Sequence, residues 1–520
     1  MGFFPKKFQI SSNNSKNNKI IIFSSIGGHT YYSRFDRLLE RCFNLLNYEV
    51  IIVLCNSELD ICQEFTHEVS NKNKISNNFK NLYCYACKKH GLKLFKNSNI
   101  KYLGDYSKTE FEKITLKFNE FISNNLEDYQ KFKTSGICFG EHIKAGLVRY
   151  YGGYTDIEKD KLNKENILKF AHAAFKTFLS VSKIIELEEI HLSILHHAIY
   201  IPQGVISDTL KLYNISFYSY SMSYRSKTFF FAYGDTYHKN FLELKNWENY
   251  NFKNKNYETL KDYFDNKSIN NQDWIDFTTK NDSKKFQHLK EKTKQFKKEN
   301  IFVMYTNVTW DAQIHFKNNI FSNIFEWIDM TIEYFQNNPN KLLVIRSHPA
   351  EVYGNVQSRD SIYDYILKNH GNNQSNVIII KPLDSINSYK LMSITDNFLI
   401  YSSKISIELL FYNKKILIAG EAFVRGKGFT LDVKNKNEYF NNLNDLKIFN
   451  LDENTRLKSY KFIYFFFFKL MIRVHLLSKE NYSLNHPFTF DEFSYEEFAK
   501  DEGFFKAINQ MIAKDNLISH

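Results

Sequence analysis

The stretch that decides the fold is Leu342–Glu351, which reads LLVIRSHPAE and passes from an apolar run straight into polar residues. The apolar run predicts a buried β-strand that ends at Arg346. Pro349 suits the first turn of a helix, where a backbone N–H would have no partner. Ligands of open α/β sheets bind beyond the carboxyl ends of strands, and helix N-termini attract phosphate. The junction therefore predicts a parallel α/β sheet in which Arg346 and His348 meet a phosphate. A capping histidine with a surface arginine is the alternative.

A second strand-to-helix junction, FLIYSSKISIE at residues 398–408, has the same form. Ser402 or Ser403 can cap the following helix, and the neighbouring hydroxyl and N–H can hold a phosphate oxygen. Glu408 lies about a turn and a half further on and can accept hydrogen bonds from ribose hydroxyls. The alternative is simple capping with a surface ion pair between Lys404 and Glu408. Two such junctions in one sheet favour a nucleotide site.

The same alternation extends on both sides of these junctions. Helical patterns separate five apolar runs and so predict a doubly wound sheet. The strands are expected at Ile301–Tyr305, Leu342–Arg346, Asn376–Ile380, Phe398–Tyr401 and Lys415–Ala419, and the helices at Ile320–Gln336, Asp360–Lys368, Ser385–Met392 and Ser403–Tyr412. Asn307 and Glu421 follow the first and last strands, so we expect them at the same edge, lining a base or sugar pocket. The glycines at Gly426 and Gly428 fit a simple turn equally well.

A weaker version of this pattern opens the chain and predicts a second parallel sheet. Its strands are expected at Lys19–Phe23, Glu49–Cys55, Glu189–Leu195 and Ile215–Tyr220, with helices over Tyr32–Leu46 and about Lys108–Lys183. We therefore predict an N-terminal Rossmann-like acceptor domain (1–240), a linker with flanking helices (241–300), a C-terminal Rossmann-like nucleotide-sugar domain (301–436) and a C-terminal helical segment (437–520). The two domains are expected to face each other across a cleft.

The glycine loop after the first strand carries the candidate catalytic residue. Gly27 and Gly28 let the backbone approach a ligand closely, and His29 would project from the strand end into the cleft. A histidine can take a proton from an attacking hydroxyl near neutral pH, so His29 is the candidate general base. A glycine turn with a capping histidine fits the sequence equally well. Further candidates for acceptor contact are His197, Tyr224, Arg225, Tyr237 and His238.

Composition excludes two classes of protein. With 43% hydrophobic residues in 520, the chain can bury two cores, so it is not a disordered protein. The net charge of +12 could attract nucleic acid or an anionic membrane. However, the lysines are interleaved with acidic residues and no arginine-rich run occurs, so nucleic-acid binding is not expected.

Cysteines and apolar runs predict a cytoplasmic protein without a metal site. Cys84 and Cys87 form the only close cysteine pair, and a zinc site would need a second pair. Residues 1–14 lack the apolar core of a secretory signal, and no clean run of about 18 apolar residues predicts a spanning helix. Phe462–Leu477 is interrupted by Lys469 and Arg473. It forms either a core helix, which we favour, or an interfacial helix that rests on the inner membrane.

Together these segments resemble the bacterial capsule polysaccharide biosynthesis glycosyltransferases of the GT-B type. The likeness is strongest over residues 300–436, in TNVTWDA, RSHPAE, YSSKISIE and GKGFTLDV, and looser over 19–40 and 190–240. SSIGGHT is similar to the first glycine loop of several GT-B enzymes, where it faces the acceptor. A His-Pro motif followed by a Ser-Ser motif also occurs in sialyl-, polysialyl- and Kdo-transferases that use CMP-sugars. By that resemblance, His348, Ser402 and Ser403 contact the donor phosphate, and CMP-sugars are the favoured donors.

The resulting hypothesis is an α/β, GT-B-like glycosyltransferase that needs neither cofactor nor metal. The C-terminal sheet binds the nucleotide-sugar donor through Arg346, Ser347, His348, Glu351, Ser402, Ser403, Glu408, Asn307 and Glu421. The N-terminal sheet presents a surface-polysaccharide, lipid-linked or other glycan acceptor, and peripheral contact with the inner membrane is a further expectation. The alternatives are a nucleotide-sugar epimerase on the same fold and a non-catalytic membrane-peripheral scaffold that docks through Phe462–Leu477.

Overall fold

The computed structural model describes residues 19–64, 77–153, 164–267, 273, 282–311, 316–352, 356–359, 361–371, 375–446, 449–478 and 488–515. Residues 1–14, expected to carry no secretory signal, lie outside this part. The described strands are β1 (Lys19–Ser25), β2 (Glu49–Cys55), β3 (Asn99–Leu103), β4 (Leu192–His196), β5 (Phe217–Met222), β6 (Thr228–Tyr233), β7 (Ile301–Tyr305), β8 (Leu342–Arg346), β9 (Val377–Ile380), β10 (Asn397–Ile400), β11 (Lys415–Ile418), β12 (Leu431–Asp432) and β13 (Ile472–Arg473).

Helices cover both faces of these strands. The described α-helices are α1 (Thr30–Leu45), α2 (Asn77–Leu94), α3 (Lys108–Phe121), α4 (Phe139–Tyr150), α5 (Lys164–Leu187), α6 (Gln203–Leu212), α7 (Tyr237–Leu242), α8 (Asn254–Asn266), α9 (Ser283–Thr293), α10 (Ile324–Gln336), α11 (Ile362–His370), α12 (Ser388–Leu391), α13 (Ile405–Phe411), α14 (Lys436–Asp445), α15 (Glu453–Phe465), α16 (Tyr495–Lys500) and α17 (Glu502–Ile512).

The first sheet has the strand order β13–β6–β5–β4–β1–β2–β3. Strands β1 to β5 run parallel, with β1 between β2 and β4, and β6 and β13 add antiparallel strands at one edge. The central strand β1 has a continuous run of buried isoleucines, as expected for a parallel strand with helices on both faces. The parallel strands therefore follow a doubly wound order.

The second sheet has the order β12–β11–β10–β7–β8–β9, and all of its strands are parallel. Tyr305 at the end of β7 is paired with Arg346 of β8 on one side and with Ile400 of β10 on the other. Because the three strands end together, the polar residues that follow them emerge at one edge. The predicted α/β class is confirmed: the second sheet is wholly parallel, and the first is parallel except for β6 and β13 at its edge.

The predicted strands of the second sheet match the observed ones to within a residue at each end. In the first half two strands were missed. β3 is a half-exposed edge strand with the mixed sequence NIKYL, and β6, TFFFAY, has no polar alternation. Neither pattern is distinctive in isolation, because an edge strand and a fully apolar strand both lack the period of two.

The predicted C-terminal helical segment (437–520) contains one element that is not helical. After α15 and a π-helical turn at Phe466–Leu470, β13 pairs with β6 of the first sheet. Helix α17 then packs Ile508 and Met511 into the core beneath that sheet. The last part of the described chain therefore returns from the second sheet to the first.

Two segments of unclear role in the sequence turn out to be core. Helices between residues 241 and 300 bury Trp247, Leu260 and Phe286 in the cluster that packs under the second sheet. Phe462 and Phe467 are buried in the same cluster, which confirms the core interpretation of Phe462–Leu477 and argues against a membrane-docking face there. Among the helices that the structure describes, none has the length and apolar character needed to cross a bilayer.

Candidate functional site

A cavity of about 420 Å³ lies beyond the carboxyl ends of β7, β8 and β10, and we call it the inter-sheet pocket. Its volume falls within the range of small-molecule sites. The second half contributes residues that follow its strand ends, and the first half contributes residues after β5 and on α7. The polar lining includes Thr306, Asn307, Ser347, His348, Ser402, Ser403, Lys404, Glu408 and Glu421, and the first half supplies Ser223, Tyr224, Tyr237 and His238.

His348 lies in this lining and is held by the backbone that follows it. Its Nδ1 accepts a hydrogen bond of 3.0 Å from the amide of Ala350, so the ring proton is assigned to Nε2. Burial lowers the pKa of His348 to about 4, and the nearby cations Arg346 and Lys404 act in the same direction. At neutral pH the ring is therefore uncharged and carries a hydrogen-bond donor at Nε2.

Arg346 lines the pocket, but its guanidinium also binds the protein backbone. Its side chain is 2% exposed, and its guanidinium donates to the carbonyl oxygens of Lys381 and of Pro382, the latter at 3.3 Å. The arginine thus fixes the loop after β9 and forms part of the pocket wall. The neighbouring Ser347 is fully buried, lines the pocket, and has no partner for its Oγ among the described residues.

Glu351, which was predicted to bind the donor, lies outside the pocket lining. The short 3₁₀ helix Pro349–Glu351 turns the chain, and the Glu351 carboxylate accepts a 3.0 Å hydrogen bond from the amide of Ile362 at the start of α11. Burial raises the pKa of Glu351 to about 8. Its position therefore indicates a structural cap for α11.

The two serines line the pocket but do not cap α13. The N-cap residue of that helix is Lys404, and no side chain caps it. The Ser402 amide instead donates to Oδ1 of Asn307 at 3.2 Å, which joins the ends of β10 and β7. Glu421 also lines the pocket and accepts a 2.7 Å hydrogen bond from Asn318.

Glu408 is the centre of a buried ionic network. Its Oε1 lies 2.9 Å from Lys267 Nζ and 2.6 Å from Lys404 Nζ, and Oε2 accepts from the Tyr389 hydroxyl. Lys267 is also 3.1 Å from Asp273. Burial alone would raise the Glu408 pKa, but the two ammonium groups outweigh it and hold the pKa at about 2. The pair with Lys404 is therefore buried rather than superficial, and the carboxylate expected to bind ribose is already engaged.

His29 lies at the end of β1, outside the pocket lining. Its Nδ1 is 3.1 Å from Oε1 of Glu64, and its ring packs against Tyr32 at a centroid distance of 4.6 Å and His196 at 5.5 Å. Burial would raise the pKa of Glu64, but His29 lowers it below its usual value. The carboxylate thus orients the imidazole at the edge of the first sheet.

Gly27 and Gly28 make a close approach, but to a helix and not to open space. A side chain at Gly27 would lie 2.7 Å from the Cα of Gly91 on α2, and the Gly28 amide donates to Cys87 Sγ at 3.0 Å. These glycines let α2 pack against the loop, and their contact with an acceptor stays a prediction.

The remaining acceptor candidates separate into three positions. Tyr224 lines the pocket beneath Lys404, whose Nζ is 4.6 Å from the ring centroid. Arg225 instead donates to the Phe467 carbonyl at 2.9 Å and is a structural residue outside the lining. His197 also lies outside it and stacks on Tyr200.

Lys267 and Tyr389 were not anticipated. Lys267 directly follows α8 in a Lys- and Asn-rich segment, and its contact with Glu408 spans 141 positions. No local pattern marks such a contact. The described residues contain no group of three or more His, Cys, Asp or Glu side chains that could hold a metal ion.

Comparison with known proteins places most of the pocket lining within a family match. Residues 233–467 match the model of the capsule polysaccharide biosynthesis protein family, which confirms the resemblance over this part of the chain. None of the curated proteins compared with the chain matches it.

Two solved structures with partial likeness are the beta Kdo 2,4 transferase and the beta Kdo 2,7 transferase of Thermosulfurimonas dismutans KpsC. The first is 14% identical with a TM-score of 0.34, covering 53% of this chain and 80% of that one. The second is 15% identical with a TM-score of 0.29, covering 54% and 79%. Likeness at this level supports no conclusion about activity.

Proposed function

Starting from this capsule polysaccharide family match, we propose that the protein is a glycosyltransferase that binds a nucleotide-sugar in the inter-sheet pocket. The observation that carries the proposal is the convergence of three strand ends on a cavity lined by His348, Ser402 and Ser403. Uncharged hydrogen-bond donors at the carboxyl ends of parallel strands suit a phosphate ligand. A CMP-sugar is the favoured donor, and the acceptor is a surface polysaccharide, a lipid-linked glycan or another glycan.

The chemistry follows from where negative charge develops. When the bond between the anomeric carbon and the phosphate oxygen breaks, negative charge grows on the departing phosphate. Fixed hydrogen-bond donors that face this phosphate lower the barrier. His348 offers its Nε2–H, and the Ser402 and Ser403 hydroxyls lie in the same lining. Lys404 lies at the same wall, where Glu408 neutralises its ammonium charge, so the stabilisation comes mainly from the hydrogen-bond donors. We therefore propose metal-independent catalysis.

For the acceptor we retain His29 as the proposed general base. Its contact with Glu64 engages Nδ1 and leaves Nε2 as the site that takes the proton of an attacking hydroxyl. Inversion at the anomeric carbon is the outcome compatible with this role. This role requires the acceptor hydroxyl to bind within hydrogen-bond distance of the His29 Nε2.

The test combines a panel of donors with two variants of His348. Thermal shifts with CMP-, UDP-, GDP- and dTDP-sugars identify the donor, because a bound ligand stabilises the folded state. With that donor, His348→Ala should lower kcat by about 10²–10³-fold, the usual cost of one transition-state hydrogen-bond donor. His348→Asn is the matched control, since its amide oxygen can still accept from Ala350 while the Nε2–H is lost.

Equal losses in both variants assign the effect to the Nε2–H. Near-normal kcat and donor affinity in His348→Ala would overturn the donor-site assignment. Conversion of the nucleotide-sugar without any acceptor would favour an epimerase. Absence of a thermal shift with every nucleotide-sugar would favour a non-catalytic scaffold.

A further inference from the structure

The outer face of α9 and the segment after it carry a dense positive charge. Over residues 283–300 the chain has seven lysines and two glutamates, while the whole chain has a net charge of +12. All seven lysines are exposed: Lys284, Lys285, Lys290, Lys292, Lys294, Lys297 and Lys298. The opposite side of the helix buries Phe286 and Leu289 in the core. The helix therefore packs one side on the core, and its lysines lie around the remaining, solvent-facing surface.

Most of this charge is not neutralised within the described part of the chain. Three of the lysines have acidic partners: Lys285 with Asp384, Lys294 with Glu291 and Lys298 with Asp396. The other four, which we call the basic face, form no ion pair among the described residues: Lys284, Lys290, Lys292 and Lys297. Solvated lysines that lack partners are available to an anionic surface.

An exposed apolar residue lies in a loop that is tied to the start of α9. Leu383 is 49% exposed, in the loop that follows β9. That loop is tied to the start of α9 in two places, because the Asp282 amide donates to the Ser385 carbonyl at 2.9 Å and Lys285 lies 3.4 Å from Asp384. An exposed leucine near exposed lysines can enter the headgroup region of a bilayer while the lysines contact lipid phosphates.

We propose that the basic face and Leu383 form a docking surface for a bilayer that contains anionic phospholipids. Charge complementarity selects an anionic partner. The exposed leucine favours a lipid surface over nucleic acid, whose phosphate backbone offers no apolar layer for it. This surface is separate from Phe462–Leu477, whose aromatic side chains are in the core.

The docking surface is connected to the inter-sheet pocket. Arg346, in the pocket wall, donates to the carbonyls of Lys381 and Pro382 in the same loop as Leu383. Docking would therefore hold one wall of the pocket near the headgroups. If the proposed transferase function holds, this arrangement suits an acceptor whose glycan is attached to a lipid.

The experiment is co-flotation of the full-length protein with vesicles. One set contains phosphatidylcholine only, and the other contains about 30 mol% phosphatidylglycerol. We expect binding to the anionic set only, with release at high salt because screening shortens the range of the attraction. Changing all four basic-face lysines to glutamine should weaken vesicle binding at least about tenfold. Leu383→Ser should weaken the vesicle binding that remains at high salt.

A matched control removes the same charge elsewhere. Lys108, Lys113, Lys117 and Lys133 are exposed lysines of the first half, and their change to glutamine should leave flotation unchanged. Circular dichroism melting of both quadruple variants shows whether they fold. The proposal is overturned if the wild-type protein does not float with anionic vesicles, if both quadruple variants lose binding equally, or if DNA of equal charge competes completely at low salt. Nucleotide-sugar thermal shifts in the basic-face variant report the pocket separately, so failure of docking and failure of the transferase proposal are distinguishable.

Discussion

Removal of the Glu408 carboxylate should lower the stability of the folded protein, because two buried lysines lose their ion-pair partner. In Glu408→Gln the ammonium groups of Lys267 and Lys404 lose the charge that lies 2.9 and 2.6 Å away. Glu408 is 1% exposed, so water cannot solvate the two ammonium groups in place of the lost carboxylate. A pKa lowered from 4.5 to about 2 corresponds to about 3 kcal/mol of stabilisation at neutral pH. Loss of one partner of a buried ion pair typically costs about 3–5 kcal/mol, which agrees.

Differential scanning calorimetry provides the assay. For a cooperative unit of about 200 residues, a loss of about 3 kcal/mol lowers the Tm by about 6–12 °C. Because the Glu408 pKa is lowered in the folded state, its stabilisation is present above the unfolded-state pKa of about 4.3 and is lost as the pH falls towards about 2. The Tm difference between wild type and variant should therefore stay constant between about pH 5 and 8 and narrow below about pH 4.

The matched control is Glu110→Gln, which removes an exposed carboxylate 2.7 Å from Lys113 and should change stability by less than about 0.5 kcal/mol. A Tm within about 2 °C of wild type in Glu408→Gln would refute the reasoning. Glu408 would then not be committed to the two lysines and would be available for the ribose contact that the sequence predicted.

Three further predictions concern groups outside this network. His29→Ala should lower kcat by about 10²–10⁴-fold without changing the thermal shift produced by the donor, because a general base acts on the acceptor; a reduced donor shift would contradict that role. Glu64→Gln should lower kcat, but by less than His29→Ala does, because Glu64 acts by orienting His29 at 3.1 Å; an unchanged kcat would contradict it. Since the folded-state pKa of Glu351 is raised to about 8, stability is lost as pH rises from about 4.3 towards 8. Glu351→Gln should therefore have a higher Tm than wild type at pH 8 but not at pH 4, and calorimetry at both values checks this.

The sequence located the edge of the sheet at which the pocket forms. Apolar runs that end in polar residues are a local signal, and the ends of β7, β8 and β10 lie side by side as expected. Of the residues at these ends, Asn307, His348 and Ser402 do line the cavity. Strand ends were predictable because hydrophobic periodicity depends only on neighbours in the sequence.

The direction of each side chain was not predictable in the same way. Arg346 turns to carbonyls 35 positions away, the Gly28 amide meets a thiol 59 positions away, and Glu408 meets Lys267 across 141 positions. Each of these partners lies on another element, so no spacing rule within a helix or strand identifies it. The sequence therefore predicts ligand contacts for some polar residues after strands whose hydrogen-bond partners are other parts of the protein.

The buried network also changes how the pocket can recognise an anion. Lys267 and Lys404 face Glu408 and Asp273, two positive groups against two negative ones, so this part of the wall has no net charge. Attraction by net charge therefore contributes little there, and recognition must depend on directed hydrogen bonds. The Nε2–H of His348 and the Ser402 and Ser403 hydroxyls are such groups, and none of them changes charge between about pH 5 and 8, since the pKa of His348 is about 4. A site of this kind selects a phosphate by the directions of its hydrogen bonds. A transferase benefits from this selection, because the same hydrogen-bonding groups can bind the phosphate more strongly as it becomes the leaving group.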